Sequence, residues 1–171
     1  MPKLPLVWRS VIIQLRSEGP PREENIAKED LPVIGIWKLI SIQTQADDGT
    51  LAYPFGKDVA GLLMIDAKGY FSAQVMDMKR PSFKSADSRG GTPEEVRTAF
   101  ENYIGYYGSF DLGETGGVMI FHVRGAWLPN WIGSEQIRYY TLRGNRMSIS
   151  TAPVLFDGKK TVGKLVWERV N

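Results

Sequence analysis

The chain has 171 residues, a net charge of +2 and no cysteine, and 43% of its residues are hydrophobic. This length predicts one domain with enough buried surface to fold without disulfides or a metal. The lack of cysteine excludes disulfides, thiolate nucleophiles, zinc fingers and iron–sulfur clusters, and the small net charge does not favour nucleic-acid binding. A single histidine, His122, leaves one candidate for imidazole catalysis.

Residues 1–30 differ in composition from the rest of the chain. Apolar side chains recur there at near-helical spacing: Leu4, Val7, Val11 and Leu15. This spacing predicts a short amphipathic helix, which Gly19-Pro20-Pro21 would end before a polar linker. We expect an N-terminal helical extension over residues 1–30, either loosely held or docked on the domain or on a second subunit of a homo-oligomer. Residues 31–171 then form the domain.

The sequence carries no sign of export or of membrane insertion. No stretch approaches the roughly 20 apolar residues that a membrane span needs, and no Asn-x-Ser/Thr sequon occurs. Residues 1–16 lack the small-residue cleavage site of a signal peptide. We therefore expect a cytoplasmic protein with no membrane span.

From residue 31 onward the pattern is that of an all-β domain. Apolar or alternating runs are separated by turn sequences such as Asp47-Asp48-Gly49 and Arg143-Gly144-Asn145. Eight strands are predicted, over residues 37–45, 59–66, 70–76, 106–112, 118–124, 136–142, 146–151 and 161–170. Eight antiparallel strands with short connections can close into a barrel that encloses one small ligand.

One α-helix is indicated between the third and fourth predicted strands. Thr92 fits the N-cap, Pro93 fits the first helical position, and Glu95 completes a capping box. An apolar stripe follows at helical spacing: Val96, Ala99, Phe100 and Tyr103. We expect this stripe to cover the barrel wall or one barrel mouth.

Several motifs occur in an order that is typical of one protein family. They include Gly35-Ile36-Trp37, Tyr53-Pro54-Phe55-Gly56, Gly91-Thr92-Pro93-Glu94-Glu95, Pro129-Asn130-Trp131 and Val166-Trp167-Glu168-Arg169. The first resembles the G-x-W signature of lipocalins, and the full set resembles the small lipocalin-like domain family of bacteria and fungi. The resemblance implies an eight-stranded barrel plugged at one end by Trp37, with Arg169 of the last strand over the indole face.

The resemblance also implies a function. Some fungal relatives belong to natural-product pathways, in which lipocalin-like barrels act as cyclases, including Diels–Alder-type pericyclases. Such ring closures need a shaped cavity and one or two polar groups, without cofactor or metal. We expect a cofactor-free cyclase or pericyclase acting on an apolar terpenoid or polyketide intermediate. The alternatives are a non-catalytic carrier on the same fold and a structural subunit that recruits a partner through its N-terminal helix.

Strand periodicity names candidate polar groups for the cavity. His122 and Arg124 share one face of their strand, and Arg138 and Tyr140 share one face of theirs. If these faces are internal, the four residues are the candidate catalytic groups. Further candidate ligand contacts on the strands are Tyr70, Ser72, Gln74 and Tyr107.

The phase of the strands is open at this point. The opposite faces, Phe71-Ala73-Val75 and Ile137-Tyr139-Thr141, are equally credible interiors. Burial of Trp37 predicts that Leu39 and Ser41 point inward, which leaves Ile40 and Ile42 pointing outward.

Two loops combine aromatic residues with a rigid proline and suggest the barrel mouth. Such loops cost little entropy to order around a flat, apolar ligand, although they equally suit a cluster that caps the core. The ligand-binding candidates on them are Tyr53, Phe55, Trp127, Asn130 and Trp131.

Overall fold

Eight antiparallel strands close into a barrel, which confirms the predicted fold class. The computed structural model describes residues 31–114, 116–156 and 158–170. Within these ranges the strands are β1 (Gly35–Ala46), β2 (Leu51–Ala52), β3 (Val59–Ile65), β4 (Tyr70–Asp77), β5 (Tyr103–Leu112), β6 (Val118–Ala126), β7 (Glu135–Arg143), β8 (Arg146–Thr151), β9 (Val154–Phe156) and β10 (Lys159–Arg169). The helical elements are α1 (Pro93–Glu101) and a single 3-10 turn at Pro129–Trp131. The predicted N-terminal helix falls outside the described residues.

The barrel closes where the last long strand meets the first. The strand order is β1-β3-β4-β5-β6-β7-β8-β10, and β10 pairs back with β1 from Trp37↔Arg169 to Ala46↔Thr161. The short strands β2 and β9 pair with the far ends of β1 and β10. Closure replaces open sheet edges with a continuous wall, so one face of every strand points inward.

A β-bulge in β1 changes which residues of that strand point inward. The pairing with β10 shifts register between Leu39 and Ser41, so Ile40 is the extra residue and alternation restarts after it. Ile42 is therefore buried inside the barrel, while Ile40 is exposed on the outside. The prediction that Ile42 points outward is wrong, because it assumed uninterrupted alternation.

The Trp37 end of the barrel is plugged, as the motif predicts. Trp37 is fully buried, and its Nε1–H donates a hydrogen bond of 2.9 Å to the Val33 carbonyl. The Cζ atom of Arg169 lies 4.1 Å from the Trp37 ring centroid. The same guanidinium donates to the carbonyls of Ile34 and Pro32. This confirms the predicted pair.

Helix α1 begins as the sequence predicts and ends earlier. The Thr92 hydroxyl accepts from the Glu95 N–H, and the Glu95 carboxylate accepts from the Thr92 N–H, so the capping box is complete. The helix ends at Glu101, and Tyr103 begins β5 instead of continuing the helical stripe. The ring of Phe100 lies 6.0 Å from that of Trp127, which places the helix beside the open end. No helix in the described ranges is long and apolar enough to cross a membrane.

Candidate functional site

A cavity of about 340 Å³ occupies the barrel between its core and its open end. This volume is at the lower end of the roughly 300–1,000 Å³ of small-molecule pockets. The lining is mostly apolar, with Leu63, Ala73 and Phe121 on the inner wall. The loop residue Phe55 and the β9 residue Leu155 line it at the mouth.

Three aromatic residues form a connected wall of this cavity, which we call the aromatic wall: Tyr106, Trp127 and Trp131. The ring centroids of Tyr106 and Trp131 are 5.2 Å apart, and those of Trp127 and Trp131 are 4.9 Å apart. Both pairs meet at nearly right angles, 89° and 88°, which is a favourable edge-to-face arrangement. The wall therefore offers flat apolar surfaces at fixed orientations.

Local backbone structure holds the aromatic wall in place. The Trp127 N–H donates to the Gly105 carbonyl at 2.7 Å, which ties the end of β6 to β5. Proline at position 129 starts the 3-10 turn that carries Trp131, and its fixed φ suits that position. The Ser134 hydroxyl then donates to the Trp131 carbonyl at 2.7 Å. The loop is stiffened before any ligand binds.

One cation lies inside this apolar cavity. Arg138 on β7 is only 6% exposed, and it lies opposite the fully buried Met119 of β6, so both face inward. Its Nη2 donates to the Tyr106 hydroxyl at 3.3 Å, and its Nη1 donates to the Ile137 carbonyl at 3.0 Å. Nη1 also reaches the Gln136 side-chain oxygen at 3.5 Å. The guanidinium is thus held in one orientation at the cavity wall.

The charge of Arg138 has no acidic partner in the described part of the chain. The ion pairs found there involve other residues, and none brings a carboxylate within 4 Å of this guanidinium. The rings of Tyr106 and Phe121 lie 5.9 Å from its Cζ atom, at the outer limit of about 6 Å for cation–π attraction. Protein groups therefore compensate this buried charge only weakly.

Two tryptophan N–H groups at the cavity are also unpaired. Trp127 and Trp167 both line it, and the buried Nε1 atom of each has no hydrogen-bond partner among the described residues. A buried donor without a partner costs roughly 1–3 kcal/mol. Both Nε1 atoms expose almost no surface to the cavity, so these two residues line it with other atoms of their rings.

Four of the predicted site residues line the cavity: Phe55, Trp127, Trp131 and Arg138. Tyr140 shares the inward face of β7 with Arg138, but it packs against the hydrophobic core and does not line the cavity. Tyr53 and Asn130 are exposed on the mouth loops and do not line the cavity. The structure therefore places these three side chains outside the cavity lining.

The remaining predicted site residues lie on the outer face of the barrel: Tyr70, Ser72, Gln74, Tyr107, His122 and Arg124. Their placement follows from strand phase, because Phe71 and Phe121 are the buried neighbours on β4 and β6. His122 lies outside between the carboxylates of Asp111 and Glu135, at 2.9 and 3.3 Å. The prediction that these six side chains line the cavity is wrong.

Other cavity residues were not among the predicted site residues. Tyr106 and Gln136 line the cavity and hold Arg138, and Thr44 lines it from β1. The prediction placed Tyr107 in the cavity. Since adjacent residues on a strand point to opposite faces, this choice placed Tyr106 outside. Thr44 is internal only because of the bulge at Ile40. No group of three His, Asp or Glu side chains in the ranges described is arranged to hold a metal ion.

Comparison with known proteins adds two findings. The family model of a lipocalin-like domain matches residues 34–170. A 4'-hydroxy-3'-methoxypropiophenone carrier protein of Aspergillus oryzae is 29% identical over 106 residues, which amount to 58% of this chain and 96% of that relative.

Proposed function

We propose that this chain, which belongs to the lipocalin-like domain family, binds and carries a small aromatic molecule inside its barrel. The observation that carries the proposal is the cavity of about 340 Å³ with its mostly apolar lining and pre-formed aromatic wall. Ligand sites of this kind combine a mainly apolar surface with a few fixed polar groups. Here those groups include Arg138 and Tyr106.

The relative supports a narrower ligand class. Its name describes a carrier of a phenolic aryl ketone, a flat molecule with oxygen acceptors at both ends. A molecule of that kind suits the aromatic wall, and its oxygens suit the donors of the cavity. We therefore propose an oxygenated aromatic intermediate of natural-product biosynthesis as the ligand.

A second candidate function is a cofactor-free cyclisation or isomerisation of the bound molecule. The observation that favours it is the Arg138–Tyr106 pair, whose 3.3 Å contact sets two hydrogen-bond donors side by side in an apolar site. Fixed donors in a water-poor site can polarise a substrate oxygen as charge develops. The cavity walls would hold the substrate in a near-attack conformer.

Binding of N-phenyl-1-naphthylamine tests the proposal, since this neutral dye fluoresces on entering an apolar site. We expect saturable binding of one dye per chain, and displacement by 4'-hydroxy-3'-methoxypropiophenone. Trp131→Ala in the aromatic wall should weaken dye binding at least about fivefold. The loss of binding free energy should exceed the loss of unfolding free energy. Tyr70→Ala is the matched control, because Tyr70 is 51% exposed on the outer face. Unsaturable dye binding by the native protein, or equal loss in both variants, would contradict the proposal.

The fate of the bound molecule separates the two functions. Any molecule that copurifies with the protein is extracted, identified by mass spectrometry and incubated again with fresh protein. A carried molecule is recovered unchanged. A cyclisation substrate is converted to an isomer of equal mass and different retention time.

A further inference from the structure

Most of the unpaired polar groups in the described part of the cavity wall are hydrogen-bond donors. In the described part of its wall, the buried atoms without a partner are the Nε1–H groups of Trp127 and Trp167. The Nε–H of Arg138 also makes no hydrogen bond to a described residue, whereas both Nη atoms do. Each of these groups can donate and none can accept. Since the two indole N–H groups expose almost no surface, the unpaired donor that a ligand can reach among these is the Arg138 guanidinium.

The cavity also carries a positive charge that no described carboxylate balances. Arg138 is 6% exposed, and no described carboxylate lies within 4 Å of its guanidinium. A buried charge is costly unless it is paired as well as hydrogen-bonded. A ligand that balanced this charge would have to supply an anionic group.

We infer that the occupant of the cavity carries an ionised oxygen group, a carboxylate, that pairs with Arg138 while its aromatic body contacts the aromatic wall. The inference rests on the proposed function and adds the charge of the ligand to it. A carboxylate fits because its two oxygens match the paired N–H groups of a guanidinium edge.

The surroundings of Arg138 prepare it for such a ligand. Gln136, Ile137 and Tyr106 restrain the guanidinium from three sides, so little side-chain entropy remains to be lost on binding. The Tyr106 hydroxyl accepts from Arg138, and its own proton is free to be donated to the same ligand. The anion would meet two neighbouring donors at one end of the cavity.

A matched pair of probes tests this inference. The probes are 2-naphthoate and 2-naphthamide, which have the same shape and differ in charge, and each competes with N-phenyl-1-naphthylamine at pH 7.5. We expect the native protein to bind 2-naphthoate at least about tenfold more tightly than 2-naphthamide. Arg138→Gln should reduce this preference to less than about twofold, and Arg138→Lys should keep part of it. The control is Arg124→Gln, which removes an equal charge from the outer face and should keep the full preference.

The outcomes separate this inference from the proposed function. Equal binding of acid and amide by the native protein, or a preference that survives Arg138→Gln, would overturn the anionic ligand. Dye binding that persists in those cases leaves the proposed carrier function standing. Failure of the native protein to bind the dye removes the proposed function and the inference together. The native comparison needs no variant, so it decides the matter even if Arg138→Gln does not fold.

Discussion

The guanidinium of Arg169 lies over the indole of Trp37, with 4.1 Å between its Cζ atom and the ring centroid. The two residues belong to the last and first strands of the barrel and are paired across them. This pair therefore lies at one end of the seam between β10 and β1, and it plugs that end of the barrel. The cavity opens at the other end, beside the aromatic wall.

Gly35→Ala should destabilise the protein through this pair. Gly35 has a φ of +139°, and an added Cβ would lie 2.5 Å from Arg169 Nη1. Backbone strain and the clash together should lower the free energy of unfolding by about 1–3 kcal/mol in urea denaturation. In an Arg169→Met background the same glycine change should cost less, because the clash is relieved while the backbone strain remains. Equal costs in both backgrounds would show that the guanidinium is not the obstacle.

The bulge in β1 predicts opposite results for two isoleucines. Ile42→Ala removes a buried side chain from the cavity wall and should cost roughly 2 kcal/mol or more, with a measurable change in dye affinity. Ile40→Ala should cost less than about 1 kcal/mol and leave dye binding unchanged, since Ile40 is exposed. Chemical denaturation and dye titration of the two variants check this. A larger stability cost for Ile40→Ala than for Ile42→Ala would mean that β1 alternates without a bulge.

Arg138→Met should leave the unliganded protein as stable as the native one or stabilise it by up to about 2 kcal/mol. The reason is that a buried charge without a counter-charge is replaced by an apolar side chain of similar length. Arg124→Met on the outer face is the control and should stay within about 0.5 kcal/mol. A loss above about 2 kcal/mol for Arg138→Met in urea would identify the guanidinium as a structural group.

The capping box predicts a pH effect at Glu95. Hydrogen bonds from the backbone N–H groups of Thr92 and Lys84 lower the pKa of the Glu95 carboxyl below its ordinary value of 4.5. A depressed pKa stabilises the folded state above pH 4.5, and this contribution is lost as the pH falls through the folded-state pKa. The stability difference between native protein and Glu95→Gln should therefore shrink below pH 4.5. A difference that stays constant from pH 7 to pH 3 would contradict the role of the carboxylate.

The strands and the capped helix could be predicted because their signals are local. Turn sequences and alternation mark where the strands run, and Thr92, Pro93 and Glu95 mark where the helix begins. The Trp37–Arg169 pair could be predicted because a known motif carries it. These features need no knowledge of which strands become neighbours.

The inward faces of the strands could not be predicted, because pairing between distant strands decides them. Arg138 is internal since it lies opposite buried Met119, and it is held there by Tyr106 of β5. The polar face with His122 is external, and the His122 ring contacts the carboxylates of Asp111 and Glu135 on the neighbouring strands. A charged residue in an alternating run gives no local sign of whether its side chain points into the barrel or out of it.

Both ends of the described domain emerge at the plugged pole. Val170 N–H donates to the Ile36 carbonyl at 2.8 Å, and Arg169 joins the last strand to the carbonyl of Pro32. A second protein joined directly to residue 31 or residue 170 would extend from the pole opposite the entrance. A protein joined directly at either of these positions would therefore leave the entrance of the cavity unobstructed.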